Sequence, residues 1–354
     1  MQRLSRDLVT ALGGTRSLRA MTWGGGQAWL PGFLSLAAGL IAARPEFDRI
    51  DVIVAGDVAL APVGWALARL SRRPLIVVAH GLDVTAGLPL YPRYAAWGLR
   101  RATGIVAISA ATAELVARSG VTRDRIAVIP PGITPPERFD RVLARAWLAR
   151  RAGGPLNDRP VLAMVGRLVP RKGTAWFLRT CLPQLLERFP ECLVAVAGDG
   201  PESSEITTVA RDLPRAILLL GRCATRERDM LFSAADLFIA PMRSIPTDPE
   251  GFGLVAMEAA AAALPSVGVA VGGLAEAIVP GITGDLAKAE GPDALVTAIA
   301  SLLDDRERRR ALCETAAAYA AQHHAWAAIA RRWSRYIDEV AVTRVAGRDA
   351  PDGE

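Results

Sequence analysis

Short apolar runs that end on glycine or a polar residue alternate along this chain with longer stretches whose apolar residues recur at helical spacing. That is the written form of parallel strands joined by crossover helices. In the first half the runs predict strands at Leu18–Thr22, Asp51–Ala55, Leu75–Ala79, Gly104–Ile108 and Arg125–Ile129. A break at Ile129-Pro130-Pro131-Gly132 follows, and Pro135, Pro136, Gly153, Gly154 and Pro155 flank a single predicted helix, Asp140–Arg151. The alternation then restarts with strands at Val161–Val165, Leu193–Ala197, Ala216–Leu219, Leu237–Ala240 and Ser266–Val269. Helical patterns run from Pro292 to Val342, and the chain opens on a helical Leu4–Leu12 followed by Gly13-Gly14. The fold class this implies is α/β, with two doubly wound, Rossmann-like domains.

Length agrees, since 354 residues exceed what one hydrophobic core usually organises. An apolar fraction of 51% against 22% charged describes a chain that folds. The longest apolar run, Ala28–Ala43, contains Pro31 and falls short of the ~20 residues that span a bilayer, so it reads as a core helix. No basic segment, apolar stretch and cleavage site open the chain as a secretory signal does. Cys181, Cys192, Cys223 and Cys313 form no CxxC pair, which argues against a disulfide framework or zinc site and fits the reducing cytoplasm. The net charge of +6 comes almost wholly from dispersed arginines, Lys172 and Lys288 being the lysines. An anionic lipid or phosphorylated ligand suits that balance better than nucleic acid, for which no motif is present.

The candidate chemistry gathers just past strand ends, where open parallel sheets bind their ligands. In Pro249-Glu250-Gly251-Phe252-Gly253-Leu254-Val255-Ala256-Met257-Glu258-Ala259 a polar loop leads into a helix expected to start near Phe252. Glycines 251 and 253 bare backbone amides at that helix N-terminus, an anion site by construction. Glu250 is placed beside the anion to accept sugar hydroxyls, and Glu258, about two turns in, is charged within an apolar stretch. The bland reading, a solvated acid, suits Glu258 poorly because its neighbours leave no polar face. Gly166-Arg167-Leu168-Val169-Pro170-Arg171-Lys172-Gly173 brings three cations to another strand end, which suits a diphosphate. For Arg171 alone an ordinary basic loop is the simpler reading. Gly198-Asp199-Gly200-Pro201-Glu202 is as readily a turn with an N-terminal acid, and His80-Gly81-Leu82-Asp83 follows the strand Leu75–Ala79.

Taken together, Gly166-Arg167…Lys172-Gly173, Gly198 to Glu202 and Glu250-Gly251-Phe252-Gly253…Glu258 closely resemble the family 4 retaining glycosyltransferases. Ser109 with its helix, Ile129 to Gly132 and the Trp326…Arg332 helix also look like that family. The resemblance runs from about Leu75 to Tyr336 and implies the GT-B fold, with the active site in the cleft between its domains. It implies an N-terminal acceptor-binding domain at 1–150, a nucleotide-sugar-binding domain at 151–315, closing helices at 316–342 that pack back toward the N-terminal domain, and a flexible tail at 343–354. By that resemblance Arg167 and Lys172 hold the donor diphosphate, Glu250 orients the transferred sugar and Glu258 binds the ribose. The amides of Phe252, Gly253 and Leu254 cap the phosphate, and His80, with Asp83 beside it, approaches the sugar from the first domain. The expected enzyme is a retaining hexosyltransferase that takes a UDP- or GDP-sugar and needs no metal or other cofactor. A glycan or lipid-linked acceptor in envelope or exopolysaccharide synthesis, and cytoplasmic work at the inner membrane face, complete the expectation, with Trp23, Trp29 and Phe33 permitting peripheral attachment. Pro131 stands where the family has asparagine, and its opening strand and glycine-rich loop have no match before Leu4, unless Gly24-Gly25-Gly26 replaces them. The alternatives are a degenerate, non-catalytic nucleotide- or glycan-binding partner and, with fewer acid/base groups to support it, a nucleotide-sugar epimerase.

Overall fold

The computed structural model describes residues 2–20, 49–85, 90–245 and 247–346. The apolar run at 28–43, the glycines at 24–26, Trp23, Trp29, Phe33 and the tail from 347 lie outside them. The chain divides into two compact units, residues 1–132 with 326–354, and residues 133–325.

Unit 1 is built on a parallel sheet in the order β1-β2-β3-β4, with β1 at Ile53–Ala55, β2 at Leu75–Ala79, β3 at Gly104–Ala107 and β4 at Ile126–Val128. β2 and β3 are buried along their whole length, which is why both read as unbroken apolar runs rather than alternating ones. The helix Ala110–Arg118 begins where Ser109 accepts the amide of Thr112 at 3.0 Å. The expected strand Leu18–Thr22 is absent over its described part, 18–20; the helix Gln2–Gly13 instead leads into an irregular segment. There Arg16 bonds the Ser334 carbonyl at 2.9 Å and Asp338 at 2.6 Å.

Those partners lie on the last helix, Trp326–Ala346, which is an integral part of unit 1. The Tyr336 hydroxyl accepts the amide of Ile105 at 3.0 Å and lies 3.1 Å from the carbonyl of Arg125, while Arg332 donates to the Val128 carbonyl at 2.8 Å. A Cβ on Gly104 would stand 2.5 Å from the Tyr336 oxygen, so glycine here admits the tyrosine.

Unit 2 carries a six-stranded parallel sheet in the order β10-β9-β8-β5-β6-β7. β5 is Val161–Val165, β6 Leu193–Ala197, β7 Ile217–Gly221, β8 Leu237–Ala240, β9 Ser266–Val269 and β10 Gly284–Ala287. The chain winds outward from β5 to β7, then returns beside β5 and winds the other way, so the order reverses between β5 and β8. β10 escapes the sequence pattern because Gly284-Asp285-Leu286-Ala287 has no β-branched residue and follows a turn.

The units also divide elsewhere than at 150 and 316. The helix Arg141–Ala152, capped by Asp140 through the amides of Val142 and Leu143, packs on the helix Thr225–Ala234. Arg141 pairs with Asp236 at 2.7 Å, so this helix belongs to unit 2 and the boundary falls on the Pro130-Pro131-Gly132 break. The helix Arg306–His324 likewise stays in unit 2, lying on Leu254–Ala261.

Candidate functional site

The reversal between β5 and β8 leaves a crevice in unit 2 beyond their carboxyl ends, and the loops that line it are those singled out in the sequence. Gly173, at φ +67°, closes the loop after β5; a Cβ there would fall 2.0 Å from the Pro241 carbonyl oxygen at the end of β8. The two loops therefore touch backbone to backbone, which brings Lys172 to Glu250. Lys172 Nζ lies 2.9 Å from Glu250 Oε2, and Arg171 Nε donates to the same oxygen at 3.1 Å. Glu250 Oε1 accepts the amide of Gly253 at 3.2 Å. Arg171 also grips Asp248 with bonds of 2.9 and 2.7 Å, an anchor that the sequence did not single out.

Burial alone would raise the Glu250 pKa, but Lys172 and Arg171 outweigh it and hold the carboxyl below its ordinary value. Burial pushes the Lys172 ammonium down, and Glu250 opposes that.

The helix Leu254–Ala261 starts two residues later than expected, with Gly253 in the left-handed region at φ +82° as its cap. Glu258 consequently lies one turn in, not two. Among the described residues the amides of Phe252, Leu254 and Val255 have no acceptor, whereas that of Gly253 is taken by Glu250. Two of the three amides expected to cap a phosphate thus stand open. The Phe252 ring is buried beside His324, its centroid 5.4 Å away, which anchors the loop without involving the amide.

Beyond the ends of β5 and β6 lies a hollow of 360 Å³, lined in part by Gly166, Arg167, Gly198, Cys223 and Arg228. That falls within the range of ligand sites, from about 300 Å³ upward. A Cβ on Gly198 would meet the Gly166 oxygen at 1.9 Å, and Leu168 donates to the Asp199 carbonyl at 3.0 Å. Gly198 to Gly200 thus form the wall that packs on the cationic loop. Arg167 is exposed and makes no ion pair among the described residues, in contrast to Arg171 four positions on. Glu258 is paired with Arg228 at 3.0 Å, and Arg228 with Asp229 at 2.8 Å.

Neither Arg228 nor Asp229 was legible as a site residue, because Thr225-Arg226-Glu227-Arg228-Asp229 looks like a solvated helix start. The signal was spacing: Leu231 and Phe232, three and four residues on, put Arg228 on the buried face.

In unit 1, His80 follows β2. Its Nε2 lies 2.9 Å from the Gly56 carbonyl, which makes that nitrogen the donor and leaves Nδ1 as a buried acceptor without a partner among the described residues. Asp83 is buried, Oδ1 accepting the amide of His80 at 2.7 Å and Oδ2 that of Val58 at 3.2 Å. Both of its oxygens hold the loop that carries His80. Burial raises its pKa, although His80 and the two amides act the other way. No group of three or more metal-ligating side chains occurs among the described residues, and no described helix is long and apolar enough to cross a membrane.

In sequence and in fold the chain resembles known proteins. The family model described as "Glycosyl transferases group 1" matches residues 146–319, and "Glycosyltransferase Family 4" matches residues 13–136. A GDP-mannose-dependent alpha-(1-6)-phosphatidylinositol monomannoside mannosyltransferase of Mycolicibacterium smegmatis is 32% identical over 77% of this chain and 66% of its own length, just under two thirds. A D-inositol 3-phosphate glycosyltransferase of Corynebacterium aurimucosum is 33% identical over 79% of this chain and 70% of its own. Among solved structures, Anabaena HepE in complex with UDP superposes with a TM-score of 0.69 at 23% identity, over 87% of this chain and 83% of that one. A glycosyltransferase from Rickettsia africae gives 0.73 at 18% identity, over 94% and 87%. The two parallel-sheet units are those of the GT-B fold, and the chain belongs to the family 4 glycosyltransferases.

Proposed function

We propose that the protein transfers a hexosyl group from a UDP- or GDP-sugar to a glycan or lipid-linked acceptor with retention of configuration. The observation that carries this is the junction of Lys172, Glu250 and the open amides of Phe252 and Leu254 at the switch point of unit 2. A nucleoside diphosphate departing there meets Lys172, the unpaired guanidinium of Arg167 and the positive end of a helix. Cleavage of the bond between sugar and phosphate leaves an oxocarbenium-like sugar, the acceptor hydroxyl adds on the same face, and its proton passes to the departing phosphate. Glu250, held ionised, orients sugar hydroxyls, Glu258 accepts from the ribose, and His80 keeps the role the family resemblance gives it, approaching the transferred sugar. Positioned charge does the work in this scheme, without a protein nucleophile or a metal.

The mycobacterial relative's name specifies GDP-mannose and a phosphatidylinositol monomannoside, whereas the Anabaena structure holds UDP; both donors therefore stay in the proposal. A lipid-linked acceptor, as in envelope or exopolysaccharide synthesis, and work at the cytoplasmic face of a membrane are favoured by unit 1. Its helices Ala61–Ser71 and Tyr91–Arg101 contain no acid. They expose Arg69, Arg93, Arg100 and Arg101 around Trp65 and Trp97, whose rings meet edge-on at 5.3 Å, with Leu70 68% exposed beside them.

The test is a donor screen by calorimetry and turnover with UDP- and GDP-sugars, alongside Glu250→Ala and Lys172→Ala. Saturable binding of one nucleotide family, with turnover lost in both variants, is expected; absence of binding by every donor overturns the proposal. Co-sedimentation with anionic but not neutral vesicles tests the membrane component.

A further inference from the structure

Arg228 is a partly buried cation on a face of the helix Thr225–Ala234 shared with Leu231 and Phe232, with 13% of its side chain exposed. Burying a guanidinium among apolar groups is costly unless its donors are all occupied. Here Nε and Nη2 reach Asp229 Oδ1 at 2.9 and 2.8 Å, and Nη1 reaches Glu258 Oε1 at 3.0 Å. Neutralising Asp229 needs one side of the fork. The other side crosses to a different helix, to Glu258, while Arg228 itself lines the hollow.

Asp229 is fixed in turn. Its Oδ2 accepts the amide of Glu137 at 3.0 Å, and the adjoining Phe139 amide bonds Ser233 Oγ at 3.1 Å. A continuous bonded line therefore runs from the backbone at 137, through Asp229 and the planar guanidinium, to the carboxylate of Glu258. A glutamate side chain that ligand must immobilise loses rotamer freedom on binding; one already clamped does not.

We infer that Arg228 is a positioning residue for the donor's ribose, presetting the Glu258 carboxylate so that the nucleotide's vicinal hydroxyls meet it in place. The inference rests on the reading of Glu258 as the ribose acceptor. It assigns Arg228 no contact with the reacting atoms, and it requires the fork geometry of arginine, not positive charge alone.

The test is calorimetric binding of GDP and UDP and of their 2′,3′-dideoxy forms to the full-length protein and to Glu258→Gln, Arg228→Met, Arg228→Lys and the double variant Glu258→Gln with Arg228→Met. For the nucleotide that binds, Glu258→Gln is expected to weaken the ribose form about tenfold and to leave the dideoxy form unchanged. Arg228→Met should show the same selectivity, with a loss of about fivefold, Arg228→Lys should recover part of it, and the double variant should be no worse than Glu258→Gln alone. Equal loss for ribose and dideoxy forms in Arg228→Met, or no loss in either, overturns the inference while Glu258 keeps its role. Indifference of Glu258→Gln to the hydroxyls removes the ribose reading itself, and the inference with it. Should Arg228→Met fail to fold, Arg228→Lys decides alone: weaker binding confined to the ribose form supports the inference, and wild-type binding of both forms sinks it.

Discussion

Glu250 in unit 2 and Asp83 in unit 1 are both largely enclosed carboxylates in loops that follow a strand, yet their surroundings move them in opposite directions. Glu250 is held by two cations and one amide, and its pKa falls. Asp83 is held by two backbone amides, and burial outweighs them and the nearby His80, so its pKa rises. At Glu250 two cations outweigh desolvation, whereas at Asp83 His80 and the amides do not. The first arrangement stores charge where a diphosphate can use it; the second spends charge on holding a histidine in place.

Removing the whole charge separates the two most sharply. Lys172→Ala should lower kcat/KM about 100- to 1000-fold, the magnitude of losing one preorganised contact to developing charge, with the fold retained. Steady-state kinetics with the donor sugar measures it, and a loss under tenfold would mean that Lys172 serves Glu250 only.

Asp83→Ala should act on stability instead. Two buried amides lose their acceptor, at a cost of about 2–4 kcal/mol read from chemical denaturation, with hydrogen exchange rising first at Val58 and His80. Asp83→Asn should recover only part, because its amide nitrogen faces one of those N–H groups.

Arg167 and Arg171 sharpen the same contrast within one loop. Arg167→Ala should weaken nucleotide diphosphate binding about tenfold and leave the melting temperature in place, since the side chain has no ion-pair partner among the described residues to lose. Arg171→Ala, which strips Asp248 and Glu250 of a shared partner, should lower it.

Acidification gives the smallest and most diagnostic effect. The folded pKa of Glu250 lies below its ordinary 4.5, so its contribution is complete above that value and disappears as pH falls through the folded pKa. The folded pKa of Asp83 lies above its ordinary 3.8, so its burial cost is complete at neutral pH and shrinks as pH falls through the raised value toward 3.8. Below pH 4.5, hydrogen exchange should therefore show protection declining around Gly253 but not around His80. Parallel decline in both loops would refute the contrast.

Most of the sheet architecture was legible because parallel strands buried on both faces are written as unbroken apolar runs, such as Leu75–Ala79 and Leu193–Ala197. The site was legible where its chemistry is local. Glu250, Lys172 and the glycines at 251 and 253 each carry a signal within a few residues. Asp248, Arg228 and Asp229 were not, since their meaning lies in partners 30 or more residues away or in a helix face that only packing reveals. The boundary at 132 was missed for a related reason: the helix Arg141–Ala152 has its own cap and composition, and nothing local says that its partner is Asp236.

The tyrosine that bridges the amide of Ile105 and the carbonyl of Arg125 also fixes a sequence of events. On the ribosome, residues 133–325 emerge as one uninterrupted stretch and have every strand of their sheet before residue 326 is made. Unit 1 begins earlier but waits for Tyr336 to bridge β3 and the start of β4. The half translated first is therefore completed last, after the nearly two hundred residues of 133–325 have been made.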